Sequence, residues 1–244
     1  SYGTATKGQM TNFEETKKQF ILPKGLIYLD GNSLGPMPKN VPSEINTFLH
    51  EEWSNLLING WNDAEWMFQP ENLGNKISRI IGAEDNSVVV GETLSVRVFQ
   101  ALSSAIKDVG KRKIILTDSG NFPSDLYMAQ GLVHLLSDQL EIRICAPEEV
   151  LDSLSDEIAV LMLTDVDYRT GRRHDISVIS KIAKDNGIVT IWDLAHSAGA
   201  LNLNLKEWDI DYAVGCTYKY LNAGPGSPAF IYVNPKKLMR SNHL

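Results

Sequence analysis

Two side chains at the ends of apolar runs carry the first chemical signal. Asp193 closes the run Ile188-Val-Thr-Ile-Trp192, and Lys219 comes one apolar run later, after Tyr212–Thr217. A carboxylate and an amine in that order suit a cofactor that offers an aldehyde and a pyridine ring. The amine condenses with the aldehyde, and the carboxylate keeps the ring nitrogen protonated, which makes the ring a better electron sink. Alone, each has a plainer explanation: Asp193 can cap the turn after it, and most lysines are solvated. Such a cofactor also needs an anion site and a flat wall. Gly91-Glu-Thr-Leu-Ser95 offers free N–H groups and a hydroxyl where a helix starts, unless Thr93 or Ser95 merely caps that helix. Phe122, before Pro123-Ser-Asp125, can stack on the ring or simply precede an N-terminal proline. His196 can orient the ring, bridge to substrate or be a satisfied structural histidine. Together these residues point to pyridoxal 5′-phosphate (PLP).

The elements that must position them are legible from periodicity. Short β-branched runs at Val88–Val90, Lys113–Thr117, Glu141–Cys145, Ile158–Leu163, Ile188–Trp192, Tyr212–Thr217 and Phe230–Val233 read as strands. Most alternate with helical stretches, namely one that follows the Gly91–Ser95 turn and runs through Ile106, Phe122–Leu136, a short one at Glu148–Leu154, and one from an N-cap at Asp175 to Asn186-Gly187. That alternation predicts an α/β fold, a mainly parallel sheet with helices on both faces. Ligands bind beyond the carboxyl ends of such strands, where Leu94, Ser95, Phe122–Asp125, Thr164, Asp193, His196, Tyr218 and Lys219 all fall. Upstream, the reading gives a helix over Thr11–Phe20, an extended run Leu26–Leu29, an irregular loop Asp30–Pro38, and helices at Val41–Ile58 and Asn72–Ile81. The Val41–Ile58 helix has Ile45, Phe48, Leu49, Trp53, Leu56 and Leu57 on one stripe.

The 244 residues are 43% hydrophobic with a formal net charge of −7, which leaves no basic excess for nucleic acid. No stretch is long and apolar enough to span a membrane, and the first twenty residues lack the apolar core of a secretory signal. Cys145 and Cys216 are too few for a disulfide framework and lack metal-ligand spacing. A cytoplasmic protein without a metal is expected.

Three segments then resemble one family. Leu29-Asp-Gly-Asn-Ser-Leu-Gly35 with Pro38, Trp192-Asp-Leu-Ala-His-Ser-Ala-Gly199, and Cys216-Thr-Tyr-Lys-Tyr-Leu-Asn-Ala-Gly-Pro-Gly226 are similar to the kynureninases, PLP enzymes of the aspartate aminotransferase superfamily. The resemblance runs from about Leu26 to Val233. Its Asp-x-Ala-His element is shared with cysteine desulfurases, whereas the Tyr218–Gly224 stretch is more particular. It implies a PLP-dependent transferase-like large domain and hydrolysis of L-kynurenine to anthranilate and L-alanine by Cβ–Cγ cleavage, leaving open a preference for 3-hydroxykynurenine. The implied roles are cofactor attachment for Lys219 and pairing with the pyridine nitrogen for Asp193, with His196 close by. Leu94, Ser95 and Tyr218 would hold the phosphate, Phe122 would stack on the ring with Asp125 nearby, and Thr164 would offer a hydroxyl. Asn32, Ser33 and Trp61 would face substrate, and Lys219 and Tyr218 would carry protons.

The resemblance also implies a homodimer and a place in tryptophan catabolism or NAD biosynthesis; the Gly224–Ser227 turn is either a contact to the neighbour's phosphate or only a tight turn. Residues 1–60 would form an N-terminal segment with the active-site loop, and residues 61–244 the PLP-binding domain. The family's C-terminal small domain, with its carboxylate-binding arginine, would lie beyond Leu244, since Arg240 is too near the lysine. Lacking it, the chain would expose apolar surface and associate. The alternatives are another PLP enzyme, such as a desulfurase or class V aminotransferase, or a non-catalytic PLP-binding fragment.

Overall fold

A two-residue pairing joins Phe20–Ile21 (β1) to Met37–Pro38 (β2), ahead of the main sheet. The apolar runs then become Val88–Val90 (β3), Ile114–Asp118 (β4), Glu141–Cys145 (β5), Ile158–Thr164 (β6), Val189–Asp193 (β7), Tyr212–Gly215 (β8) and Phe230–Val233 (β9). The computed structural model describes residues 12–136 and 140–238; Thr11 and Arg240 lie outside them. The seven strands form one sheet in the order β3-β9-β8-β7-β6-β4-β5. From β5 to β8 every pairing is parallel. Only β9 runs the other way, antiparallel to both β8 and β3. Consequently β3 points the same way as the parallel strands, and its carboxyl end opens on the same edge. The expected α/β architecture is found.

Strand β6 is buried at every position, and its alternate side chains enter two different cores. Leu161 and Leu163 pack with Ile77, Ile179 and Trp192, under the helices Gln69–Ile81 and Ile176–Asp185. Val160 and Met162 pack with Val98, Leu102 and Leu132, under the helices Leu94–Ala105 and Pro123–Leu135. Double-sided burial is what a continuous apolar strand requires, and each large side chain so buried contributes about 1.5–3 kcal/mol. Asp175 caps its helix as expected, accepting from the Val178 N–H at 3.0 Å.

The N-terminal quarter departs from expectation. Leu26–Leu29 is not a strand; Phe20–Ile21 pairs instead with Met37–Pro38, at the end of the segment read as loop. The single helix expected over Val41–Ile58 is broken. It is α-helical at Val41–Thr47, π-helical at Phe48–Trp53, briefly α-helical at Ser54–Leu56 and then 3₁₀ at Leu57–Asn59. Among the described residues the apolar stripe has no core beneath it: Ile45, Phe48, Leu49, Trp53 and Leu57 are all exposed, as are Leu29 (88%) and Ile58 (75%). Most helical stability in proteins comes from packing an apolar face, so periodicity alone does not hold this segment regular. Ser54 also donates to the His50 carbonyl at 2.7 Å, a back-bond that bends helices. Glu148–Leu154 yields only one 3₁₀ turn, at Pro147–Glu149.

Candidate active site

The carboxyl edge of the sheet gathers most of the expected residues around one amine. Lys219 follows β8 and is only 8% exposed. Its Nζ lies 2.6 Å from His196 Nε2 and 5.8 Å from the ring centres of both Phe122 and Tyr218. Burial, and then the Lys219 charge, bring the His196 imidazole down to about 4. A neutral His196 therefore accepts from the lysine at Nε2 and carries its own proton on Nδ1, which is buried without a partner.

Asp193 ends β7. Its Oδ1 accepts from the Ala195 N–H at 2.8 Å, while Oδ2 is buried with no donor. Asp125, in the first turn of the helix Pro123–Leu135, is buried against it. Burial, then the Asp193 charge, hold the Asp125 carboxyl well above the usual carboxylate range. Burial also pushes Asp193 up, but the Ala195 N–H and the Lys219 charge oppose it. Two ionised carboxylates cannot share so dry a site, so Asp125 keeps a proton and Asp193 is the charged member.

A pocket of about 270 Å³ opens beside the lysine, lined by Thr93, Leu94, Ser95, Phe122, Tyr218 and Ser227 among others. Thr93 caps the helix Leu94–Ala105 by accepting from the Val96 N–H, and the pocket sits against that helix start, where unpaired N–H groups favour an anion. Burial, then Cys216, keep the Tyr218 phenol above its ordinary range, so it remains a donor. The residues fit a phosphorylated pyridine aldehyde. They combine a buried amine, an anion pocket, an orphaned carboxylate oxygen for a ring N–H and an orphaned imidazole N–H for a ring oxygen. Among the described residues no cluster of His, Cys, Asp and Glu could hold a metal ion.

Asn121, which the sequence did not single out, ties two of the expected residues together. Its Oδ1 accepts from the Phe122 N–H at 2.7 Å and from the Thr164 hydroxyl at 2.5 Å, and its Nδ2 donates to Thr117. The Thr164 hydroxyl thus donates to Asn121. The Asp30–Gly35 loop is docked on the lysine segment: the Gly35 N–H donates to the Tyr218 carbonyl at 2.8 Å. Asn32 reaches the Tyr168 carbonyl at 3.5 Å, and Ser33 donates to Asp30 at 2.8 Å. Trp61 stands apart, its ring packed edge-on against Trp66 at 6.5 Å.

A Cβ at Gly35 would run into the Lys219 carbonyl oxygen and Asn222 Oδ1. Gly35→Ala is expected to cost about 1–3 kcal/mol of stability in denaturant titrations and to weaken PLP binding; an unchanged midpoint would mean the loop is not docked there. His196 supplies a pH dependence. Its folded value of about 4 lies below the unfolded value, roughly 6.5. The unfolded chain therefore takes up that proton first, and stability present above about pH 6.5 is lost as pH falls toward 4. Asp125 works in the opposite sense, its contribution lost as pH rises above the unfolded carboxylate range. Urea melts of His196→Asn should lose the first slope and keep the second.

Residues 27–240 match the family described as Aminotransferase class-V. Over 225 residues the chain is 45% identical to a kynureninase from Pseudomonas fluorescens, covering 90% of this chain and 54% of that protein. Over 230 residues it is 46% identical to a kynureninase from Deinococcus radiodurans, covering 92% and 56%. The chain thus spans about half the length of the curated relatives it matches. Among solved structures it resembles the apo cysteine desulfurase from Thermococcus onnurineus NA1, with a TM-score of 0.73 at 19% identity, covering 93% of this chain and 58% of that one. It also resembles the cysteine desulfurase CsdA from Escherichia coli, with a TM-score of 0.74 at 16% identity over 94% and 60%. With a mainly parallel sheet, a buried strand-end lysine and a match over most of its length, the chain belongs to the aminotransferase class-V family.

Proposed function

We propose that this chain carries the PLP-binding part of an enzyme that hydrolyses L-kynurenine to anthranilate and L-alanine. One observation carries the reading: the buried Lys219 amine sits in a ring-lined cradle, one strand from the orphaned carboxylate of Asp193. Identity of 45–46% to kynureninases over some nine-tenths of the chain supports the substrate class.

Bound PLP supplies an aldehyde that captures the substrate amine and a ring that takes up electrons released at the substrate carbons. The remaining work falls to side chains. Ionised Asp193 holds a proton on the ring nitrogen, and protonated Asp125 steadies that charge. The helix start at Leu94 and Ser95, with Tyr218, would hold the phosphate, and Phe122 would form the wall for the ring. Lys219, once released by the substrate, takes the Cα proton. Water adds to the γ-carbonyl, the Cβ–Cγ bond breaks, and the acyl part leaves as anthranilate. Cβ then gains a proton, for which Tyr218, kept protonated by burial, is the donor at hand, and Lys219 returns a proton to Cα so that L-alanine leaves. Asn32 and Ser33, on the docked loop, face the substrate.

Residues 1–60 act as the loop-bearing segment and 61–244 as the cofactor domain. The protein works as a cytoplasmic homodimer in tryptophan catabolism. The exposed apolar residues of the N-terminal quarter support association. No helix among the described residues is long and apolar enough to cross a membrane. A sulfur-transferring reading would need a ready thiolate. Burial raises both thiols instead, Cys216 to about 11. PLP-loaded protein given L-kynurenine should release fluorescent anthranilate; sulfide from cysteine without anthranilate from kynurenine would overturn the proposal.

A further inference from the structure

We infer that Tyr168 is a specificity-determining residue, the wall against which the aromatic ring of the substrate packs. This deepens the reading above and rests on it for the aryl character of the substrate. Tyr168 follows β6 in the segment Val166–Arg173, which closes on itself through an antiparallel bridge between those two residues. Its ring centre lies 5.0 Å from Phe122, edge to face, and 6.3 Å from His196, nearly parallel at 26°. Both neighbours touch the lysine cradle. Phe122 and His196 are committed to the cofactor, whereas Tyr168 keeps 36% of its surface exposed. Its carbonyl receives Asn32 from the substrate-facing loop. The ring therefore stands where the cofactor cradle meets that loop.

The hairpin is built to hold that ring still. Asp167 Oδ1 accepts from the N–H groups of Arg169 (2.8 Å) and Thr170 (3.2 Å), and the Asp167 N–H donates to the Arg172 carbonyl at 2.8 Å. Buried Asp118, at the end of β4, receives His174 Nε2 at 2.6 Å and faces the Arg172 guanidinium at 3.6 Å. The Asp165 N–H donates to the carbonyl of Asp193 itself, at 3.0 Å. An exposed turn needs none of this merely to connect two elements. A fixed aromatic wall does, because ring pairs gain their energy only at centre separations of about 4.5–7 Å and in tilted or offset geometry.

The test compares Tyr168→Leu and Tyr168→Phe with the PLP-loaded wild type, measuring the dissociation constants of anthranilate and of PLP. Tyr168→Leu should weaken anthranilate roughly threefold to tenfold and leave PLP affinity and the bound-cofactor absorbance unchanged. Tyr168→Phe should bind like wild type, because the ring acts and not the hydroxyl. Equal weakening of PLP and anthranilate would overturn the inference and make Tyr168 a prop for Phe122 and His196. Unchanged anthranilate binding in Tyr168→Leu, or a wild type that binds no anthranilate, would also overturn it. A wild type that binds anthranilate but never cleaves L-kynurenine would sink the proposed reaction, and the binding ratio would still decide on Tyr168.

Discussion

Replacing Lys219 by alanine is expected to abolish both the absorbance change on adding PLP and at least about 10³-fold of anthranilate formation, within the range that a lost proton-transfer group costs. In the proposed mechanism the amine is both the attachment point and the base, so no neighbour compensates. Lys219→Arg separates charge from chemistry: it keeps a cation near His196 but offers no amine able to condense, and should be as inactive as the alanine variant. The two differ in one readout. The lysine charge helps to depress His196, so the imidazole should titrate closer to its ordinary range in Lys219→Ala than in Lys219→Arg. Histidine NMR resonances followed against pH would show this. Retained turnover in either variant would remove Lys219 from the chemistry.

Asp193→Asn should lower turnover about 10²- to 10³-fold, the typical cost of removing one preorganised electrostatic partner, without lowering the stability of the PLP-free protein. The asparagine oxygen can still accept from the Ala195 N–H, so the turn is kept. What is lost is a charge that burial already disfavours and whose second oxygen has no donor within the protein. Replacing an under-satisfied buried ion by a neutral isostere is commonly neutral or stabilising. Activity and stability should therefore move apart. Steady-state rates and thermal melts on the same preparation check this; a parallel loss of both would make Asp193 a structural residue.

Much of the sheet and of the cofactor cradle could be read from residue types. The runs that became β3 to β9 are continuous and apolar because the sheet is covered on both sides, and local sequence records that condition directly. The turn residues after those runs fall at the carboxyl edge for the same reason, which is why Lys219, Asp193, His196 and Phe122 converge. What escaped reading depends on distant partners. Asn121 matters because Thr164 and Phe122 meet it across two strand ends, and nothing about an asparagine before Phe-Pro announces that role. Asp118 and His174 are 56 positions apart and signal only once folded. Tyr168 could have been flagged, since Asp167-Tyr-Arg-Thr-Gly171 follows a buried strand and is dense in turn formers. The Val41–Ile58 stripe misled for the opposite reason. Its periodicity is helical, but the described residues give that face no core to pack on, and the helix breaks where packing would have held it.

The most direct test of the central claim is to load the protein with PLP, reduce it with borohydride, digest it and map the pyridoxyl group by mass spectrometry. Modification is expected on the peptide carrying Lys219, and it should disappear in Lys219→Arg. A pyridoxyl group on any other lysine, or none at all after reduction, would contradict it.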